Sequence, residues 1–378
     1  MRKTIPGSFG AMKRSDKALA RIEGIDAARA VAIIGMVMVH FAPGPTEQGP
    51  MGRLYGLSQG RAAILFVVLA GLGVSLLAGS RSSSRRRVVR TRLAFRAMVL
   101  LPAGLALQLL DVPALVILQH YSVFFLLAAC AVALSDRALL GASVAVTVLA
   151  PVLYLAAWHW QPSWFTGRPA VITDPPLLII RDLMLTGAYP VLTWMAPLLF
   201  GMWLGRQDIR LAVGRWRTVI VGTIAAIAAW GVSVGLGAWL GRPNTKPSWL
   251  QLVLEEGHSQ MPLWLVGAIG SATGVLALAL LAVNRWPRIT WPLVAMGQLA
   301  LTIYVAHLIA LALWPGLLIR RDDVLAATVS VIRFTAVTAL FAVLWRKWFS
   351  RGPLEALLHL PWSWRPHSRS SPLPEAPN

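Results

Sequence analysis

The chain has 378 residues, of which 57% are hydrophobic and 13% are charged, and this composition is far more apolar than a soluble domain needs. A net charge of +20 is common in nucleic-acid-binding proteins, but here the basic residues form short clusters between apolar runs, which argues against a nucleic-acid partner. The single cysteine, Cys130, lies within an apolar run, so a disulfide framework and a cysteine metal site are both excluded. We therefore predict an all-α integral membrane protein.

Ten apolar stretches are long enough to form helices of ~20 residues across a ~30 Å hydrocarbon layer. They lie near residues 25–42, 60–79, 93–110, 114–134, 138–158, 189–205, 218–240, 262–283, 292–316 and 324–345. Most of the Lys and Arg residues between these stretches fall on the side of the N-terminus, as the positive-inside rule expects of cytoplasmic segments. The sequence thus predicts a bundle of about ten transmembrane helices with both termini in the cytoplasm.

Three parts of the chain differ in composition. Residues 1–24 form a basic N-terminal segment, residues 25–345 form the helical bundle, and residues 346–378 form a cytoplasmic tail. The tail is rich in Pro and Ser after about residue 361, and we expect it to be disordered there. On the opposite side of the membrane three long loops are rich in Pro, Gly and Trp, and long loops on a rigid scaffold often carry function; they span 42–60, 159–188 and 241–261.

The first predicted helix carries a polar stripe. Asp26, Arg29, Ile33, Met36 and His40 follow one another at steps of three and four residues, so they share one face. Polar groups within a membrane are costly and usually functional or paired. At the cytoplasmic end the aspartate and the arginine can equally form a local ion pair. The histidine stands ~16 Å from the arginine along the axis, at the outer end.

Several further polar residues are predicted to lie on the outer side with this histidine. They are Arg61 at the start of the second helix, His120 in the fourth, His258 in the loop before the eighth, and His307 in the ninth. Each histidine alone is often structural, but together they indicate a cavity, and imidazole is the natural general base for a hydroxyl or amine nucleophile. Tyr304 shares a helix face with His307 and Gly297, which suits either packing or catalysis.

Glycine and arginine motifs elsewhere have simpler interpretations. Gly71 and Ser75 in "AGLGVS" favour close helix packing over a phosphate loop, because no strand precedes them. The "RRR" cluster at 85–87 is typical of a topology determinant, and it also faces the compartment that holds acyl-CoA. No metal-binding motif occurs in the sequence, and we predict no metal cofactor.

The opening segment "RIEGIDAARAVAIIGMVMVHF" resembles the first motif of the transmembrane acyltransferases related to heparan-alpha-glucosaminide N-acetyltransferase, an Ile/Val-Asp-x-x-Arg-Gly sequence leading into the first helix. The similarity is strongest to the bacterial YeiB-like branch, of the DUF418 type. Segments similar to that branch follow in order along the chain: "GRAAILFVVLAGLGVSLL", "AYPVLTWMAPLLFGMWLGR", "GHSQMPLWLVGAIG", "MGQLALTIYVAHLI" and "RGPLEALL".

This resemblance implies an integral-membrane acyltransferase of the plasma membrane. Such an enzyme moves an acyl group, typically acetyl, from cytoplasmic acyl-CoA to a hydroxyl or amine of an envelope glycan, a glycolipid or a small acceptor on the far side. Ala30 replaces the Gly of the opening motif, and the loop "FAPGPTEQGPMGRLYGLSQ" lacks the histidine that is catalytic in the heparan enzyme. His258 or His40 is therefore the expected catalytic base. The expected partners are the lipid bilayer, acyl-CoA and the acceptor, and homo-oligomerisation is left open.

The remaining polar residues complete the predicted site. We expect these residues to bind substrate, and they are Asp26, Arg29, Arg61, His120, Tyr304 and His307. Arg61 is expected to stabilise the developing oxyanion. The alternative function is that of a transporter or permease using the same polar cavity. Discontinuous helices and a binding site near the bilayer midplane would favour that alternative.

Overall fold

The computed structural model describes residues 22–42, 50–79, 83–207, 212–320 and 323–360. Helices dominate these residues, and the described ranges contain no β-strand, so the predicted all-α class is confirmed. The basic segment up to residue 21, loop residues 43–49 and the tail from residue 361 lie outside the described residues. The predictions made for those parts stay predictions.

Fifteen α-helices follow one another in the described ranges, joined by short 3-10 turns and one π-helical turn at Asp182–Thr186. They are α1 (Glu23–Phe41), α2 (Pro50–Ser58), α3 (Arg61–Ala78), α4 (Ser83–Leu107), α5 (Leu118–Ala131), α6 (Asp136–Trp160), α7 (Pro176–Arg181), α8 (Val191–Leu204), α9 (Ala212–Leu240), α10 (Pro262–Arg285), α11 (Pro287–Gln298), α12 (Ala300–Leu313), α13 (Pro315–Leu318), α14 (Val324–Trp348) and α15 (Pro353–Leu357).

Local sequence explains where many of these helices begin. Proline is the first residue of six of them, where its fixed φ suits a helix and its missing N–H costs nothing. Two longer helices begin at a side-chain cap. Ser135 accepts a hydrogen bond from the Ala138 N–H at 3.2 Å, and Asp323 accepts from the N–H groups of Leu325 and Ala326.

Seven helices of the described chain are long and apolar enough to cross a membrane, and the number rises to nine if each of two bent helix pairs is one span. The chain is therefore a multi-span membrane protein. The predicted count of ten and the cytoplasmic position of both termini stay predictions. The fourth predicted span corresponds to α5, which has 14 residues and is shorter than the ~20 that a full crossing needs.

The ninth predicted span, 292–316, was wrong as a single helix. The chain breaks between α11 and α12 with a bend of 72°, so Gly297 lies on a different helix from Tyr304 and His307. Close packing accompanies the break, because a side-chain carbon on Gly297 would overlap the carbonyl oxygen of Asp26 in α1. The N–H groups freed at the start of α12 bind the Glu355 carboxylate, with Leu301 donating at 2.7 Å.

Helices α1, α3, α8 and α10 form the centre of the bundle, and α9 and α14 lie at its edge. In the most apolar part of α1, 72% of the residues are buried. The corresponding share is 11% in α9 and also in α14. The predicted packing role of Gly71 is seen directly, because a side chain there would overlap the Leu198 carbonyl of α8. With α1 at the centre, its polar stripe faces other helices.

Candidate active site

A narrow cavity of about 130 Å³ lies at the end of α1 that carries His40, which we call the His40 end. His40 and His258 both line it, together with Tyr189 and the turn at Gln59 and Gly60. The structure thus brings together the two histidines predicted as candidate bases. Arg61, expected beside them, does not line this cavity.

The orientation of His40 is fixed by a second histidine from α12. His40 Nδ1 lies 3.1 Å from His307 Nε2, and the two rings are parallel, with centroids 5.3 Å apart. His307 Nδ1 hydrogen-bonds to the Tyr304 carbonyl oxygen, which can only accept, so this nitrogen carries the hydrogen. In neutral rings His307 Nε2 then accepts from His40 Nδ1–H. The lone pair of His40 is consequently on Nε2.

His258 is held in a strained loop before α10. Its φ is 60° and that of Gln260 is 67°, values uncommon for residues other than glycine. The Gln260 amide fixes the loop, since its oxygen accepts from Trp194 Nε1 at 2.7 Å and its nitrogen donates to the Ala188 carbonyl at 3.1 Å. Aromatic rings of Tyr189, Trp194 and Trp264 surround the imidazole.

The protonation of His258 suits a base. Burial lowers its pKa, although a hydrogen bond to the Ala188 carbonyl acts in the opposite direction. The ring is therefore neutral at pH 7. Its Nδ1 is buried and has no hydrogen-bond partner among the described residues.

Arg61 binds the loop that carries His258. Its guanidinium forms an ion pair with Glu255, whose side chain is 5% exposed. Burial raises the pKa of Glu255 and the arginine lowers it. Close by, the Gly60 backbone packs against His258, and a side chain there would come within 3.2 Å of the His258 backbone nitrogen. The structure thus gives Arg61 a visible role in holding the loop, whereas its predicted contact with an oxyanion is not tested.

His120 lies outside the narrow cavity. It is 2% exposed, and neither ring nitrogen has a partner in the described part of the chain. Its ring meets Tyr189 edge-on at 5.6 Å, and Tyr189 meets His258 in the same way at 5.5 Å. Tyr189 therefore connects His120 to the cavity wall, and a substrate contact for His120 stays a prediction.

A wide cavity of about 340 Å³ lies further along α1. Apolar side chains such as Phe66 and Phe125 form most of its wall, and Arg29, Arg96 and Tyr304 are among its polar residues. The Tyr304 hydroxyl accepts from the Ile117 N–H at 3.1 Å. The wide cavity thus combines an apolar interior with two arginines at one end of α1, which we call the Arg29 end.

A mouth cavity of about 250 Å³ continues from those arginines toward the end of the described chain. Arg29, Arg96 and Arg351 line it, with Glu355 of α15 and His359. The predicted pair of Asp26 and Arg29 is present, with a distance of 2.7 Å between Oδ1 and Nη1. Asp26 is buried beneath, so Arg29 is the member of the pair that reaches the cavity.

The three cavities follow one another along the polar stripe of α1. Arg29 lines both the mouth cavity and the wide cavity, Met36 lines both the wide and the narrow cavity, and His40 lines the narrow cavity. On the other side α12 runs in parallel, from Ala300 at the mouth to His307 beside His40. The three cavities therefore form a row along α1, with three arginines at one end and two histidines at the other.

Sequence reasoning missed several residues of this row of cavities. Arg96 was not singled out, although it stands one turn inside the apolar stretch 93–110, which is the signal that marks it. Tyr189 and Glu355 carry no comparable local signal. The described residues also contain no group of three or more His, Cys, Asp or Glu arranged to hold a metal ion.

The chain matches two protein-family models. Residues 21–235 match the family model described as heparan-alpha-glucosaminide N-acetyltransferase, catalytic, and this match covers more than half of the chain. The chain belongs to this transmembrane acetyltransferase family. Residues 212–365 match a second model, described as protein of unknown function (DUF418). The resemblance to the DUF418 branch is thereby confirmed, and no individual curated protein matches the chain.

Proposed function

We propose that this protein transfers an acyl group, typically acetyl, from acyl-CoA bound at the Arg29 end to a hydroxyl or amine acceptor bound at the His40 end. The observation that carries the proposal is the sequence of three cavities along α1 and α12. Membership of the acetyltransferase family supports the reaction class. In a plasma membrane with cytoplasmic termini, the acceptor would be an envelope glycan, glycolipid or small molecule.

Arginines at the mouth suit the anionic donor. Arg29, Arg96 and Arg351 meet around one cavity, and guanidinium groups bind phosphate by paired charge-assisted hydrogen bonds. The neighbouring wide cavity offers apolar walls for the long arm that carries the thioester. These residues would hold acyl-CoA with its phosphates at the mouth and its reactive end toward Met36.

The chemistry requires one base at the far end. The acceptor O–H or N–H loses its proton to an imidazole lone pair while its oxygen or nitrogen forms a bond to the thioester carbonyl carbon. The C–S bond then breaks, and the departing thiolate takes up a proton to leave free CoA. The hydrogen bonds of His40 leave its Nε2 lone pair free for the first step, and His258 lines the same cavity as the second candidate base.

Arg61 serves this proposal as a positioning residue. Its ion pair fixes Glu255, three residues before His258. The Glu255 N–H is also bound, since it donates to Ser233 Oγ at 2.9 Å. The ion pair and this hydrogen bond keep the loop closed over the narrow cavity, so Arg61 acts through the histidine.

A transporter is the second candidate, because two bent helix pairs occur in the described chain. The pair α11 and α12 bends by 72° beside the wide cavity, and discontinuous helices of this kind form the substrate sites of many transporters. The transferase and the transporter can be distinguished by one product, the free thiol of CoA. Only the transferase releases free CoA thiol from acyl-CoA.

The test measures that thiol with purified protein in lipid nanodiscs supplied with acetyl-CoA. We expect slow release, with water as the acceptor, and faster release when an acceptor is added. Met36→Trp narrows the passage between the wide and narrow cavities and should slow release at least tenfold while acetyl-CoA still binds. Val31→Trp is the matched control, because Val31 lies on the same helix, is 38% exposed and lines none of the three cavities.

Release of no thiol by the wild type, under conditions in which acetyl-CoA binds, would reject the transferase. An unchanged rate in Met36→Trp would reject the path through the three cavities. Equal loss in Met36→Trp and Val31→Trp would attribute the effect to bulk on α1, and the path would again be rejected.

A further inference from the structure

The helix α14 exposes an arginine within its membrane span. Arg333 is the tenth residue of the helix, about 14 Å from its start at ~1.5 Å per residue, and its side chain is exposed. Ile332 and Val337 beside it are also more than half exposed, as expected of a face toward lipid. A cation at this depth is costly unless it finds a partner. No carboxylate of the described chain pairs with it.

A groove of about 600 Å³ lies at the side of the bundle beside this arginine, and we call it the lateral groove. One wall is the segment from Leu317 to Arg320, and the other is the first three turns of α14 up to Arg333. Ile319 and Val329 are among the apolar residues that line it. The groove therefore has apolar walls and an arginine on each side.

The described residues of the lateral groove carry more positive than negative charge. Among the described residues, its lining contains one carboxylate, that of Asp323. Asp323 Oδ1 already accepts from the N–H groups of Leu325 at 2.8 Å and Ala326 at 3.0 Å, and so caps the start of α14. The guanidinium groups of Arg320 and Arg333 have no such partner among the described residues. They can bind an anion that enters the groove.

The lateral groove lies at the His40 end of the bundle. The Arg320 N–H donates to the carbonyl of Phe41, the residue after His40, at 3.0 Å. The Phe41 ring meets Phe334, the residue after Arg333, edge-on at 5.4 Å. The groove is thus separated from the narrow cavity by α1 itself, and it is a different site from the three cavities of the row.

We propose that the lateral groove binds a lipid with a net negative phosphate headgroup, from the leaflet at the His40 end. The two arginines hold the phosphate, and the apolar walls hold the upper part of the acyl chains. Phosphate held this way neutralises the charge that Arg333 brings into the span. A zwitterionic lipid binds less well because its cationic group is repelled by the same arginines. The assignment rests on the groove alone and does not depend on acyl transfer.

Native mass spectrometry of the full chain in detergent micelles tests this assignment, with dioleoylphosphatidylglycerol and dioleoylphosphatidylcholine as the probes. We expect one phosphatidylglycerol to bind at least tenfold more tightly than phosphatidylcholine. Arg333→Gln should remove that preference, and Arg333→Lys should keep part of it. Val329→Trp fills the groove without changing any charge and should also lose the lipid.

Arg242→Gln is the matched control. It removes one positive charge from the loop that carries His258, and Arg242 lies outside the groove, 3.7 Å from Glu256. The control should bind phosphatidylglycerol as the wild type does. Equal affinity for the two lipids in the wild type, full binding by Arg333→Gln, or the same loss in Arg242→Gln would each overturn the assignment. Because no enzyme activity is measured, failure here leaves the proposed transferase standing.

Discussion

The two ends of α1 face cavities of opposite character. At the His40 end the cavity measures about 130 Å³, and the orientation of the His40 ring is fixed by its hydrogen bond to His307, which in turn bonds to the Tyr304 carbonyl. At the Arg29 end two cavities of about 340 and 250 Å³ share Arg29 and Arg96. A small, rigid site suits the positioning of one proton and one acceptor, whereas a larger, positively charged one suits a long anionic donor.

The largest expected effect is at the narrow end. His40→Ala or His258→Ala should reduce acyl transfer by roughly 10²–10⁴-fold for the histidine that acts as base, the range typical of general base catalysis. His159→Ala is the matched control, because His159 bonds to the Leu155 carbonyl and stacks on Trp249, away from the three cavities. Turnover assays with saturating acetyl-CoA separate the variants. Wild-type rates in both cavity variants would remove the catalytic distinction between the two ends.

An intermediate effect is expected at the Arg29 end, and it should appear in KM, whereas the effect at the His40 end should appear in kcat. Arg96→Gln should raise the KM for acetyl-CoA about tenfold or more with little change in kcat, because a lost charge-assisted hydrogen bond costs ~1.5–3 kcal/mol. Arg137→Gln provides the control, since Arg137 is exposed and lies outside all of the cavities. A fall in kcat at unchanged KM would show that the two ends are not divided between binding and chemistry.

Acid should affect the narrow end through His258. Its lowered folded pKa means that the neutral ring contributes stability above the ordinary value of ~6.5, and this contribution is lost as the pH falls below ~6.5. If His258 is the base, kcat/KM should fall with an inflection below pH 6.5. Melting temperatures from pH 8 to 5 should decline less steeply in His258→Ala than in the wild type. An inflection above pH 6.5 would assign the proton to another group.

The smallest effect, on stability, is expected at the contact between α15 and the start of α12 beside the mouth cavity. Glu355→Ala leaves the N–H groups of Leu301 and Thr302 without their acceptor, which should cost about 1–3 kcal/mol and lower the melting temperature by a few degrees. Glu256→Ala is the comparison, since its exposed ion pair with Arg242 contributes at most about 1 kcal/mol. Equal melting temperatures in the two variants would show that α15 is not held by this contact.

Local patterns explain how much of the site was predictable. The stripe from Asp26 to His40 was visible because residues three and four apart share a helix face whatever the rest of the chain does. In the structure three members of that stripe, Arg29, Met36 and His40, line the cavities. The family resemblance was visible for the same reason, since its motifs are short and ordered.

Long-range contacts were beyond the same reasoning. His40 meets His307 across 267 residues, and Arg61 meets Glu255 across 194, so neither partner could be chosen from periodicity. The break at Leu299 was hidden because the apolar run continues through it. The close contact between Gly297 and Asp26, which accompanies the bend, exists only in the packed bundle.

That break has an electrostatic consequence for the mouth. A helix carries about half a positive elementary charge at its N-terminus, and the bend places the N-terminus of α12 at the same cavity as Arg29 and Arg96. The Glu355 carboxylate accepts from the N–H groups of Leu301 and Thr302 and so caps this terminus with a full negative charge. The positive charge of the backbone therefore helps to hold α15 in place, and the attraction of the mouth for anions comes from its arginine side chains.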